Sequence, residues 1–134
     1  MTEQAPLKTT FRERLGALAA NATGDVNLVE APFAGTLESA ALIPDSTITG
    51  ATATKRTFTI ENRGQAGAGT TVMATLDLVT GTNAAGDDET AFVLSATAAD
   101  LVVAEGDVIA VKEAVTSTGT ANPGGLIELV FSRS

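Results

Sequence analysis

The sequence predicts an all-β fold: an antiparallel β-sandwich or barrel-like body of about seven strands, preceded by a short helical N-terminal arm. After Gly24 the chain is dominated by Thr, Val, Gly and Ala. Short apolar runs alternate there with turn residues, which is typical of sandwiches and barrels. No amphipathic helix separates the runs, so parallel βαβ units are not expected. We therefore divide the chain into an arm, residues 1–23, and a β-sandwich or barrel domain, residues 24–134.

Seven segments of the domain have the composition of strands. Alternation of apolar and polar residues is clearest at 57–61 and at 72–78. Clusters of Gly, Pro, Asn and Asp separate the segments, and these residues tolerate tight or left-handed backbone. The predicted strands are 26–30, 34–43, 55–62, 71–79, 90–96, 108–115 and 126–132. The predicted turns are centred on 44–46, 62–64, 86–88, 105–107 and 122–125.

The arm carries a helix signal. Thr10 stands three residues before Glu13, the spacing of a capping box. Four apolar residues follow at the helical spacing i, i+4, i+7 and i+11, and they are Phe11, Leu15, Leu18 and Ala22. A three-turn helix is marginal alone and needs a surface to pack on, either its own domain or another chain. The residues that we expect to bind a partner are Phe11, Arg12, Arg14, Leu15 and Leu18.

Charge is distributed unevenly along the chain. The formal net charge is −8. Residues 1–22 carry three basic and two acidic side chains, whereas residues 23–134 carry five basic and 14 acidic ones. Nucleic-acid binding needs clustered Lys and Arg, so an acidic body argues against a nucleic-acid partner.

The composition also predicts a thin core. Hydrophobic residues make up 44% of the 134, but many are alanines, which bury little area. Five Phe are the whole aromatic content, without Trp or Tyr. Burial at an interface would add stability, which favours an oligomer or a bound partner.

The chain contains neither Cys nor His. Disulfides, thiol nucleophiles, thiolate metal sites and a Ser-His-Asp triad are thereby excluded. Paired carboxylates for glycoside hydrolysis are available by residue type, but the stacking aromatics that usually accompany them are absent. The candidate carboxylates are Asp45, Glu61, Asp77 and Asp107. We expect that the protein is not an enzyme and needs no cofactor.

Two polar segments resemble ligand loops only superficially. The glycine-rich stretch 64–70 lacks the Gly-Lys-Ser/Thr ending of a phosphate-binding loop, so a hairpin loop is the better interpretation. The acidic stretch 86–89 lacks the spacing of a calcium-binding loop and is interpreted as a solvated turn. No signal-peptide h-region and no apolar run of membrane-spanning length occur, so we expect a soluble protein made in the cytoplasm, without membrane contact.

An ordered set of motifs resembles a known family. The motifs are Ala31-Pro32-Phe33-Ala34-Gly35-Thr36, Ile48-Thr49-Gly50, 56–64, Gly67-Ala68-Gly69-Thr70, Asp88-Glu89, 94–98, 103–108 and Asn122-Pro123-Gly124-Gly125. Together they resemble the small head decoration (minor capsid) proteins of tailed bacteriophages, of the type found in phages of actinobacteria. The resemblance spans residues 31–133 and leaves the arm outside.

The resemblance implies a capsid decoration, or cement, protein on the outer surface of the virion. It implies a homotrimer that binds the major capsid protein and stabilises the expanded shell by bridging its subunits, and it brings no catalytic residues. The alternative is a fibre or carbohydrate-binding module displayed on a virion, which would need stacking aromatics on a concave face.

Overall fold

Alternating burial along the strands produces two antiparallel sheets that pack face to face as a β-sandwich. The computed structural model describes residues 7–134. The strands of these residues are β1 (Lys8–Leu15), β2 (Gly24–Glu30), β3 (Gly35–Pro44), β4 (Arg56–Asn62), β5 (Thr71–Asp77), β6 (Thr90–Ala91), β7 (Val93–Leu94), β8 (Val102–Val103), β9 (Val108–Val115) and β10 (Gly125–Arg133). Two short 3-10 turns lie at Thr52–Thr54 and Ala98–Leu101.

Each sheet contains five strands. Sheet 1 has the order β1-β10-β3-β6, and β8 also pairs with β3. Sheet 2 has the order β2-β9-β4-β5-β7. β1 and β2 are thus terminal strands of the two sheets at one side of the sandwich, and β6, β7 and β8 lie at the other side.

The predicted all-β sandwich is confirmed, with strands close to all seven predicted positions. The predicted segment 90–96 is split into β6 and β7 around Phe92, whose N–H donates to the carbonyl of Ala40. The glycine-rich stretch 64–70 is the connection between β4 and β5, an antiparallel pair, as expected for a hairpin loop. The expected turns at 62–64, 105–107 and 122–125 each contain a glycine with positive φ, and the turn at 86–88 has Asp87 at φ 59°.

The predicted N-terminal helix is wrong. Residues 8–15 form β1, which pairs antiparallel with β10 along its whole length, from Lys8 opposite Ser132 to Leu15 opposite Gly125. Phe11 and Leu15 are four residues apart, an even spacing that also places both on one face of a strand. Pairing with β10 therefore places Phe11 and Leu15, two of the four apolar residues that suggested a helix, on the inner face of β1, and it adds a ladder of backbone hydrogen bonds.

The core lies between the two sheets and draws residues from both. The central strands contribute the most deeply buried side chains, among them Ile127 and Leu129 of β10 and Phe58 and Ile60 of β4. Phe58 and Phe92 meet edge to face, with ring centroids 6.5 Å apart. Such an arrangement suits the ring quadrupoles.

Candidate interaction surfaces

A buried ion pair holds the loops at the end of the sandwich where β1 ends and β2 begins. Arg56, at the start of β4, is fully buried, and its Nη1 lies 3.2 Å from Oε1 of Glu113 on β9. The guanidinium also donates to the backbone carbonyls of Ala19, Ala22 and Thr120 at 2.7–3.0 Å. One side chain thereby fixes segment 16–23, which joins β1 to β2, and the loop after β9.

Glu113 has a second partner in this cluster. Asn122 Nδ2 donates to Glu113 Oε1 at 2.7 Å, and the Asn122 side-chain carbonyl accepts the N–H of Gly124. Burial raises the pKa of the Glu113 carboxyl, and the bonds from Asn122 and Arg56 act in the opposite direction. The cluster is a structural clasp, because its polar groups are directed at one another and at backbone.

The five residues that the sequence proposed for partner binding fall into two groups. Phe11 and Leu15 face the interior: Leu15 is buried, and the Phe11 ring meets that of Phe131 edge to face at 6.0 Å. Leu18 is half-buried and forms a β-bridge with Asn122. Only Arg12 and Arg14 point to solvent, from the outer face of sheet 1.

The side of the sandwich formed by β1 and β2, which we call the open side, carries the two long terminal strands. β1 pairs only with β10, and β2 only with β9, among the described residues. The two strands contact each other across the sandwich. Gly24, the first residue of β2, lies against Leu18, just beyond the end of β1, so the strands run in opposite directions. Each has one edge whose backbone N–H and C=O groups have no strand partner.

The outer face of β1 is basic. The even-numbered side chains lie opposite outward residues of β10, with Lys8 beside Ser132 and Arg12 beside Glu128. Arg12 Nε donates to Glu128 at 2.9 Å. Arg14 makes two bonds to Asp45, at 2.9 and 3.0 Å, and its hydrogen bond lowers the pKa of the Asp45 carboxyl.

The outer face of β2 is acidic. Asp25 lies beside Lys112 of β9, and Glu30 lies beside Val108, while the intervening Val26 is opposite the buried Val111. A bulge after Asn27 changes the alternation along the strand. Arg63 Nη2 donates to Asp25 Oδ1, which tethers that carboxylate to the start of the loop between β4 and β5.

The opposite side exposes an apolar segment, residues 91–104, which we call the 91–104 patch. Val93 is 75% exposed and Val102 is 54% exposed, on β7 and β8. Its single charged residue, Asp100, accepts a bond from Ser95 Oγ at 2.7 Å. The other exposed apolar residues of the patch are Ala91, Ala96, Ala98, Ala99 and Ala104. Val93 belongs to sheet 2 and Val102 to sheet 1, so the exposed apolar residues of this segment are distributed over both sheets at this side of the sandwich.

The outer face of sheet 2 is lined by threonines. Thr57, Thr59 and Thr75 alternate there with buried residues, and Thr57 Oγ1 donates to Asp77 at 2.7 Å. All five Phe lie within the described residues, and each is buried or half-buried. Phe58, Phe92 and Phe131 are buried, and Phe11 and Phe33 are half-buried.

Residues 7–134 enclose no pocket and hold no group of three or more acidic side chains placed to bind a metal ion. In the same part of the chain, no helix has the length and apolar character needed to cross a membrane. Comparison of the chain with protein-family models, with curated proteins and with solved structures returns no match.

Proposed function

We propose that this chain is a capsid decoration protein that binds the outer surface of a phage head and stabilises the shell by bridging major capsid subunits. The observation that carries the proposal is the pair of unlike surfaces on opposite sides of one sandwich. The 91–104 patch is apolar, and the open side is a backbone edge bordered by charge. A bridging protein needs at least two contact surfaces on a rigid body, and this arrangement supplies them.

The 91–104 patch is the surface that we assign to the shell. Burial of apolar area contributes about 25 cal/mol per Å², so covering Val93 and Val102 would favour association. The Asp100 carboxylate already accepts a hydrogen bond from Ser95, which lowers the desolvation cost of burying this carboxylate against a protein surface. Each contact is modest, and the many copies on a shell would supply the strength.

The ordered motifs from Ala31 to Gly125 support the same class of protein, since they resemble the phage decoration family. The alternative, a carbohydrate-binding module, gains no support from the fold. Sugar sites rely on exposed aromatic platforms, and Phe33, one of the least buried rings, lies under the guanidinium of Arg133, 5.3 Å from the ring centroid. We therefore propose action by binding rather than catalysis, in a protein made in the host cytoplasm and placed on the virion surface.

Co-sedimentation with expanded empty capsids tests the proposal. We expect saturable binding at a fixed ratio to the major capsid protein. Val93→Asp with Val102→Asp should abolish it while leaving the far-UV circular dichroism and unfolding temperature nearly unchanged, because both side chains are exposed. Ala66→Asp with Ala68→Asp, in the exposed loop after β4, makes the same charge change as a control and should bind normally.

Two results would overturn the assignment. Wild-type protein that fails to sediment with capsids but is retained on a polysaccharide column would favour the carbohydrate-binding alternative. Equal loss of binding in the patch variant and the loop control would show that negative charge, rather than the patch, governs association.

A further inference from the structure

We propose that two copies of this chain join through their open sides, with β1 of each copy pairing with β2 of the other. The inference does not depend on the proposed function, since self-association and capsid binding are measured separately. It assigns an occupant to the two backbone edges of the open side, and that occupant is a second copy.

Strand edges of this length without a partner can pair with a strand of another chain. β1 contains eight residues and β2 seven, and the described residues place no strand beside the outer edge of either. Proteins usually protect such edges by shortening them, covering them or charging them. Here the edges are charged, and the sign of the charge decides which pairings are favourable.

Pairing of β1 with β1 of a second copy is disfavoured. Two copies related by a two-fold axis perpendicular to the sheet would place outward residues opposite outward residues. The registers that overlap most of the strand set Lys8 against Arg14, Lys8 against Arg12, or Arg12 against itself. Like charges directly opposite one another destabilise a strand pair.

Pairing of β1 with β2 brings opposite charges together. The outward residues of β2 are Asp25, Asn27 and Glu30. In one register Arg12 stands opposite Asp25, and beyond the bulge Lys8 stands opposite Glu30. In the register shifted by two residues, Arg14 stands opposite Asp25. The complementarity therefore does not depend on a single alignment.

The fold also provides the geometry for this pairing. β1 and β2 lie on the same side of the sandwich and run in opposite directions. A two-fold axis parallel to the strands would bring β1 of one copy antiparallel to β2 of the other, and the reverse pair would form by the same rotation. Sheet 1 of each copy would then continue into sheet 2 of its partner, and the assembly would close at two copies.

The trimer implied by the family resemblance would use these edges differently. A ring of three would require β1 and β2 of one copy to face two different neighbours, which their shared side disfavours. Two features limit the strength of the dimer. Arg12, Arg14 and Asp25 already bond within the chain to Glu128, Asp45 and Arg63, so intermolecular pairs would compete with these bonds. The exposed Glu13 also lies on the inner side of β1 and would meet the seam near Val26. An inward charge at an edge weakens pairing, so we expect a reversible, concentration-dependent dimer.

A charge-exchange experiment tests the pairing by sedimentation equilibrium of the full chain. Variant A carries Arg12→Glu and Arg14→Glu, so both of its edges are acidic. Variant B carries Asp25→Lys and Glu30→Lys, so both of its edges are basic. Each variant alone should dimerise at least about tenfold more weakly than wild type, because favourable pairs become repulsive. An equimolar mixture of A and B should recover the dimer as a heterodimer.

Controls separate edge pairing from general charge effects. Asp88→Lys with Glu89→Lys, at two exposed positions directly before β6 and so away from the open side, changes the net charge as variant B does and should dimerise like wild type. If a reversed variant does not fold by circular dichroism, Arg12→Gln with Arg14→Gln replaces variant A and should still weaken the dimer.

Several outcomes would overturn the inference. A wild-type protein that stays monomeric at all concentrations would do so, as would a trimer. A dimer that is insensitive to both reversals, or an A and B mixture that remains monomeric with both variants folded, would also contradict β1–β2 pairing.

Discussion

Arg56 and Glu113 form an ion pair from which water is excluded, with Nη1 3.2 Å from Oε1 and both side chains at most 2% exposed. The pair joins neighbouring strands, β4 and β9, but its main effect is on the loops around it. Because Arg56 also binds the carbonyls of Ala19, Ala22 and Thr120, it holds together segments that are far apart in sequence.

Removing either member of this pair should destabilise the fold unequally. Breaking a buried pair costs about 3–5 kcal/mol, because one charge is left without its partner. We expect Glu113→Gln to lower the free energy of unfolding by about 3 kcal/mol. Arg56→Met should cost more, since it also removes the Arg56 donors from the backbone carbonyls of Ala22 and Thr120. Urea unfolding measures both, and a smaller loss for Arg56→Met than for Glu113→Gln would contradict this account.

The pH dependence of the free energy of unfolding should reflect the raised pKa of the Glu113 carboxyl. Burial raises its pKa in the folded chain above the ordinary 4.5, so the folded chain holds this proton more tightly than the unfolded chain. Its contribution to the free energy of unfolding therefore increases as the pH falls through the raised pKa towards 4.5. We expect wild type to gain stability relative to Glu113→Gln as the pH is lowered through this window. Urea unfolding across a pH series would show a constant difference if the pKa were unshifted.

Two glycines should respond oppositely to alanine substitution. A Cβ at Gly50 would overlap the backbone carbonyl oxygens of Val79 and Thr82, whereas a Cβ at Gly16 would meet nothing within 4 Å. Gly50→Ala should lower the unfolding temperature strongly, because backbone rather than a flexible side chain must move. Gly16→Ala is the matched control and should be neutral or slightly stabilising. Thermal unfolding tests both, and similar melting of the two variants would refute the packing argument.

The N-terminal candidates should separate into core and surface residues. Leu15→Ala removes a buried side chain and should cost about 2–5 kcal/mol. Arg14→Ala removes an exposed partner of Asp45 and should leave the free energy of unfolding almost unchanged. Denaturant titration distinguishes the two. Equal losses in the free energy of unfolding would contradict this account, because they would mean that the surface pair of Arg14 and Asp45 stabilises β1 as much as the burial of Leu15 does.

The sequence predicts most strands of the body because alternation and turn residues agree along it. Thr57 to Glu61 is an example, since every second residue is apolar and the segment ends in Asn62-Arg63-Gly64. The helix prediction failed because Phe11 and Leu15 suit a helical stripe and a strand face equally. Pairing with β10, more than 100 residues away, determines that residues 8–15 form a strand rather than a helix, and no local pattern reveals that pairing.

The buried ion pair left a partial signal in the sequence. Glu113 is in phase with Ile109 and Val111, so alternation alone places it on the inner face of β9. Its partner could not be named, because Arg56 lies on a different strand and only the pairing of β4 with β9 brings the two together. The charged strands of the open side are a similar case. The excess of basic residues in 1–22 is visible in the sequence, but only the packing of the two sheets shows that β1 lies beside the acidic β2.

The position of β10 has a consequence for biosynthesis. This strand lies between β1 and β3, yet it follows both of them in the chain. A ribosome therefore releases the two flanking strands well before the strand that joins them, and sheet 1 cannot close while β10 is still inside the exit tunnel. Until then β1 is an unpaired strand in a partly folded chain, so we expect this protein to complete its folding late and to depend on its distal strand for protection from aggregation during synthesis.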